Sequence, residues 1–315
     1  MLALSAEDRP ILIASGFILV ILAVGTVYTL TTHGTASFLS LTYLLQQLQV
    51  GSFLGIVAAG MMLVILMGHI DLSVPWTIAA AAMMATAVGG PAAIPVGLGI
   101  GLTVGLVNGL GVAYLRVPSM IFTLGVNAVM RGLMVMHTGG FAPQTHATGL
   151  MSFLATGHVL GVPMPLVVWG ALSLLFVVLL QRTPLGRYIY AIGNRERAAY
   201  LSGVNTRLVL VAAFAICGLC GGLAGVLLAG YSSKAYQGMG DAYLLPSIAA
   251  VVIGGTNILG GQGRYAGTVV GAILIVLLSS VLSVLQMPEA GRQVIYGSVI
   301  ILMLLVYGRG RKVAG

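Results

Sequence analysis

Ten apolar runs, almost free of charge, set the possibilities for this chain. They cover residues 10–30, 50–67, 72–88, 93–114, 119–137, 164–181, 207–230, 243–260, 265–286 and 293–308. A helix needs about 20 mostly apolar residues to cross a bilayer, and most of these runs are about that long. The second and third are short and closely coupled. Only 6% of the 315 residues are charged, whereas a soluble domain carries about 25%. A soluble fold so poor in charge has nothing to cover its surface with. The expected fold is therefore all-α: a polytopic transmembrane bundle of about ten helices, forming one transmembrane domain over residues 1–315.

Glycine is the second anomaly. The 45 glycines are roughly twice the usual share, and they sit among Leu, Val, Ala and Ile. Helices in lipid gain little from burying apolar surface against each other, so close backbone approach through small residues takes over that role. Gly97, Gly101, Gly105 and Gly109 recur every four residues and predict a groove on one helix face, with Asn108 beside it. Shorter pairs are Gly218/Gly222, Gly221/Gly225 and Gly267/Gly271. Tight helix packing accounts for all of them.

The net charge of +8 bears on topology, because the charges are confined to a few loops. Ten helices place both termini on one side. If that side is inside, the inner segments hold Arg9, Arg116, Arg182, Arg187, Arg195, Arg197, Arg207, Arg264, Arg309, Arg311 and Lys312, eleven of the fourteen basic residues. Lys234 and Arg292 fall outside, and Arg131 lies within a helix. The positive-inside rule selects this orientation. Residues 10–30 read as a span rather than a cleaved leader. Three loops are long: 31–49, outside, with Gln46, Gln47 and Gln49; 138–163, outside, with His146 and His158; and 182–206, inside. Glycine-rich breaks at Gly68–Ser73 and Gly260–Gly263, both near the inner face, suggest two related halves.

Four segments carry candidate function. In GHIDLSVP (68–75), Asp71 or Ser73 can cap the helix that follows, and Pro75 fits its first turn. The functional alternative has Asp71 shaping an inner gate. Arg131 is costly at membrane depth and should face the bundle interior, a cavity or the outer interface, with Asn127 or carbonyls near Gly132 as partners. It reads as a structural anchor or as a pathway residue. In the inner loop, Arg187, Arg195 and Arg197 join Glu196 and a small apolar patch, Ala198, Ala199 and Leu201. This predicts a short amphipathic helix along the inner surface, able to dock on a cytosolic partner, against the plainer reading of an ordinary positive loop. Cys217 and Cys220 have CxxC spacing, but with no flanking His or charge they read as packing residues.

Other chemistries lack their residues. No GxxxxGK[ST] loop is present, so ATP binding is not expected in this chain. No HExxH and no metal cluster is visible, and no cofactor is expected. GGQGR (260–264) reads as a tight turn between membrane helices.

The segments GHIDLSV (68–74), GLVNG (105–109), TLGVNAVMRGLMVMHTGG (123–140), YAIGNRERAAYLSGVNTR (190–207) and LLPSIAAVVIGGTNILGGQGRYAGTVVGA (244–272) resemble the permease subunits of bacterial ABC sugar importers of the ribose, xylose, galactose and autoinducer-2 type. With the helix spacing, the likeness covers nearly the whole chain. The resemblance implies a multi-pass inner-membrane protein without enzymatic activity of its own. Its implied partners are a second permease, identical or homologous, two ATP-binding subunits at the cytosolic face, and an external sugar-binding protein. It implies that Asn194, Arg195, Glu196, Arg197, Ala198, Ala199, Tyr200, Leu201, Ser202 and Gly203 form the segment that couples to the ATPase. It names no sugar contacts, and Asp71, Ser73, Asn108, Asn127 and Arg131 remain the pathway candidates. The rival expectations are a permease for a nucleoside or branched-chain amino acid, a stand-alone ion-coupled transporter, and an intramembrane enzyme. Asp71 is the main intramembrane acid available to an ion-coupled transporter, and no acid/base or nucleophile pair is visible for an enzyme.

Overall fold

A computed structural model describes residues 9–34, 36–141, 143 and 145–310. Arg311 and Lys312 lie outside the described residues, as do the side chains of Arg9 and Arg309. The helices in chain order are α1 (Arg9–His33), α2 (Leu41–Leu66), α3 (Val74–Val88), α4 (Ala93–Leu115), α5 (Ser119–Thr138) and α6 (Gly149–Thr156). After a small hairpin of β1 (His158–Val159) and β2 (Val162–Pro163) come α7 (Met164–Arg182), α8 (Pro184–Leu201), α9 (Thr206–Ser232), α10 (Leu244–Ile253), α11 (Tyr265–Val284) and α12 (Glu289–Gly310).

Among the described residues, seven helices are long and apolar enough to cross a membrane: α1, α2, α4, α5, α7, α9 and α11. With α3, α10 and α12 they occupy the ten apolar runs. The polytopic helical bundle is therefore the observed architecture. One boundary moves. The segment 31–49, read as a long loop, is mostly helix, because α2 begins at Leu41 and carries Gln46, Gln47 and Gln49. Its cap is Ser40, whose side chain accepts from the Tyr43 N–H. Gln49 pays its way at depth by donating from Nε2 to the Ala155 carbonyl in α6 at 3.0 Å.

Glycine lines the most extensive contact between helices in the bundle, that of α4 on α9. A methyl group on Gly101 would lie 2.9 Å from the Gly222 Cα, one on Gly105 2.9 Å from the Ala215 Cα, and one on Gly109 2.7 Å from the Val211 Cα. Gly97 faces the Val226 side chain in the same groove. From the other side, Gly218 lies against Gly105 and Gly222 against Gly101. Near the centre, α2 crosses α9 where Gly60 meets Cys217 and Cys220, both of them buried and free.

The two halves repeat with opposite direction. Each has a long, well-buried helix (α2, α9), an irregular stretch, a short helix (α3, α10) and two further helices. The end of α2 and the start of α9 lie together at one end of the bundle, which also holds Arg116, Arg195, Arg197 and Arg207; this is the basic end. The break that corresponds to 67–73 is accordingly 233–243, which enters from the opposite end, and not the Gly260–Gly263 turn. That turn and the 67–73 break share the basic end, where the Gly261 N–H donates to the Leu66 carbonyl at 2.8 Å.

Candidate functional site

With 15 and 10 residues, α3 and α10 are about 22 and 15 Å long, short of a hydrocarbon core of about 30 Å. The missing thickness is filled by 67–73 and 233–243. A break at such depth leaves backbone N–H groups without partners, which lipid does not tolerate. α5 supplies the partners from one polar stripe at four-residue spacing. Ser119 Oγ accepts from the Ile70 N–H at 3.3 Å, Thr123 Oγ1 from the Leu72 N–H at 2.9 Å, and Asn127 Oδ1 from the Trp76 N–H at 3.3 Å. The next position on the stripe is Arg131.

The capping arrangement differs from the expected one. Ser73 makes no side-chain cap; its Oγ donates to Asp71 Oδ1 at 2.6 Å, and its N–H donates to the same oxygen at 2.9 Å. Asp71 thus stabilises the turn, while α5 caps α3 from outside. Pro75 does occupy the first turn. Asn108, seven residues before the end of α4 and so about 10 Å in from the basic end, donates from Nδ2 to Ser73 Oγ at 2.7 Å and to Asp71 at 3.3 Å. Asp71, Ser73 and Asn108 are all fully buried, so they form a packed polar knot and not an open surface. Asn108 Oδ1 has no partner there.

Arg131 does not pair with Asn127, whose oxygen is taken by Trp76. The acid near it is Asp241, in the short turn Asp241–Tyr243 before α10. Asp241 was absent from the sequence-based candidates, because nothing local connects it to a residue 110 positions earlier. The four-residue stripe of Ser119, Thr123, Asn127 and Arg131 was the available signal for the α5 face.

At the basic end, α8 is two helices fused across a kink at Arg195 (φ −162°, ψ 96°). The expected apolar patch, Ala198, Ala199 and Leu201, lies wholly beyond the kink and does not form one surface, because neighbouring residues on a helix point about 100° apart. Ala199 faces the bundle and is buried, whereas Ala198 is exposed and Tyr200 and Leu201 are 68% and 84% exposed. Glu196 accepts from Arg116 at 2.8 Å and from Thr206 Oγ1 at 3.2 Å, tying the kink to α4 and α9. Asn194 donates from Nδ2 to the Gly261 carbonyl at 3.3 Å, and Tyr190 from Oη to the Gly263 carbonyl at 2.8 Å. Gly193 has no room for a Cβ, because the Leu66 carbonyl and the Gly261 backbone fill that space. Beyond the kink, Arg116, Glu196, Arg197, Tyr200 and Arg207 border an open groove of about 810 Å³.

The family described as branched-chain amino acid transport system / permease component matches residues 43–304. The chain is 36% identical over 278 residues to the ribose import permease protein RbsC of Escherichia coli (strain K12), covering 86% of this chain and 87% of that protein. It is 37% identical over 280 residues to RbsC of Bacillus subtilis (strain 168), covering 86% of each. The autoinducer 2 import system permease protein LsrD of Escherichia coli O9:H4 (strain HS) is 32% identical over 267 residues, covering 81% of this chain and 80% of that protein. No solved structure gives a significant match. Ten apolar runs, paired broken helices and a match to importer permeases along most of their length lead to one assignment: the chain is a multi-pass membrane protein belonging to the permease-component family of ABC importers.

Proposed function

We propose that this chain is the membrane subunit of an ATP-driven, binding-protein-dependent importer of a monosaccharide or similar small polar solute. The basic end faces the cytoplasm, as the positive-inside rule requires, and both termini lie there. Residues 194–203 dock on a separate ATP-binding subunit, a binding protein delivers solute at the opposite face, and a second permease completes the pathway. One observation carries the docking assignment. Tyr200 and Leu201 stand out from the basic end on the segment after the kink, which buried Ala199 and the bonds of Glu196 to Arg116 and Thr206 hold against the bundle. An exposed aromatic and leucine beside a groove bordered by arginines and a glutamate fit a protein partner. Sugar is favoured as the solute by the imported solutes named for the relatives, ribose and autoinducer 2.

The test is reconstitution in proteoliposomes with candidate ATPase subunits and a loaded binding protein. Uptake of labelled D-ribose, or of another monosaccharide in a panel, should require both partners and ATP. Robust uptake by this chain alone under an ion gradient would overturn the proposal. Labelling of Arg195→Cys only from outside would reverse the topology.

A further inference from the structure

The loop 233–240 runs down beside α5 from the end opposite the basic one. Gln237 donates from Nε2 to Thr138 Oγ1 at 3.3 Å near the top of α5, and Gly240 rests on the Pro75 backbone where α3 begins. Thr77, one turn into α3 by number, lies against Gly221, fifteen residues into α9 and so about 22 Å from the basic end. The two breaks therefore meet near the middle of the bundle, and the N-termini of α3 and α10 both start there.

Arg131 and Asp241 flank this meeting point. They are near enough for the arginine's charge to act on the carboxylate, yet they stop short of ion-pair contact. Both are exposed in the single chain. The α5 surface around Arg131 is open on one side: Ala128, Gly132 and Val135 are exposed. Only 17% of the α5 span is buried. A charge in mid-helix cannot be left to lipid, so this open face borders water or the second permease. An arginine and a carboxylate held apart present a fork of donors and a pair of acceptors with no net charge. A polyhydroxy solute offers both complements on adjacent carbons. An anion would meet Asp241, and a cation would meet Arg131.

We propose that Arg131 and Asp241 form a solute-contacting subsite, at the junction of the two broken helices, for a neutral polyhydroxy compound of monosaccharide size. This deepens the reading under Proposed function and rests on it.

The test uses the full chain assembled with its ATPase subunits in lipid nanodiscs. Arg131→Cys and Asp241→Cys are treated with a membrane-impermeant methanethiosulfonate, with and without millimolar D-ribose or the panel sugar that the wild-type complex imports. Cys217 and Cys220 are buried and give little background. Expected are labelling at both positions and a several-fold slowing by the sugar. No labelling, or labelling that the sugar leaves unchanged, overturns the proposal. In uptake assays at saturating binding protein, Arg131→Met and Asp241→Asn should cut transport roughly tenfold or more. ATP hydrolysis stimulated by loaded binding protein should persist, and Arg131→Lys should recover part of the transport. Loss of hydrolysis together with uptake assigns the pair a structural role and overturns the subsite. A wild-type complex that imports no sugar of the panel removes the broader reading and the subsite with it, whereas normal wild-type import with unaffected variants removes the subsite alone.

Discussion

Two glycines on the same helix make a controlled experiment. Gly101 faces α9, where an added methyl would approach the Gly222 Cα to 2.9 Å, and the neighbouring atoms belong to the backbone. No side chain can rotate out of the way. Carbon atoms rest at about 3.5–4.0 Å, so Gly101→Ala must part the helices by about 0.6–1.1 Å locally or distort one of them. Overpacking of this kind costs about 1–3 kcal/mol. Gly99 is on the same helix two residues earlier, and a Cβ there meets nothing within 4 Å. Gly99→Ala and Gly101→Ala share the helix-propensity gain of about 1 kcal/mol. That gain cancels in the comparison, so the overpacking cost alone separates the variants. Denaturant titration in mixed micelles should therefore place Gly101→Ala about 1–3 kcal/mol below Gly99→Ala, with Gly99→Ala at or above the wild type. Equal stability of the two variants would refute the claim that α4 and α9 are in backbone contact through this groove.

Asn127→Leu removes the acceptor for the Trp76 N–H and should cost about 0.6–1.7 kcal/mol in the same titration, the range of hydrogen bonds between membrane helices. Glu196→Gln breaks an ion pair whose side chains are 37% and 53% exposed, so the unfolding midpoint should move by no more than about 1 kcal/mol equivalent. Leu201→Glu should leave the midpoint unchanged and abolish co-purification of the ATPase subunit, because the side chain is 84% exposed. Ala199→Glu should lower the midpoint itself, since Ala199 is buried against its own bundle; equal midpoints for these two variants would refute the assigned orientation of the kinked segment.

What could be read from the sequence divides along one physical line. Hydrophobicity and spacing are local, so the ten apolar runs, the glycine face of α4 and the basic inner loop were legible. The start of α2 was not, because Gln46, Gln47 and Gln49 look like loop residues until α6 supplies a carbonyl for Gln49. The Asp71 turn was recognised, but the source of the α3 cap was not, since Asn127 lies 51 residues from Trp76. Asp241 escaped for the same reason. Its role depends on two broken helices entering from opposite ends, a relation in space that no local pattern records. The apolar patch of the inner loop was read as one surface, but its members follow one another on the helix after Arg195, and a turn of about 100° per residue sends Ala199 to the bundle and Ala198 and Leu201 outward.

The Leu66 carbonyl joins three segments that are far apart in the chain. It receives the Gly261 N–H, and Gly193 abuts it with no space between. A joint made of backbone has no soft side chain in which displacement can be lost. Any displacement of the segment before the kink is thus delivered to the end of α2, where the helix stops and the buried turn of Asp71 begins. The stiffness of this joint sets how little travel at the surface is needed to move the chain at depth, and a single methyl at Gly193 would either jam the joint or loosen it.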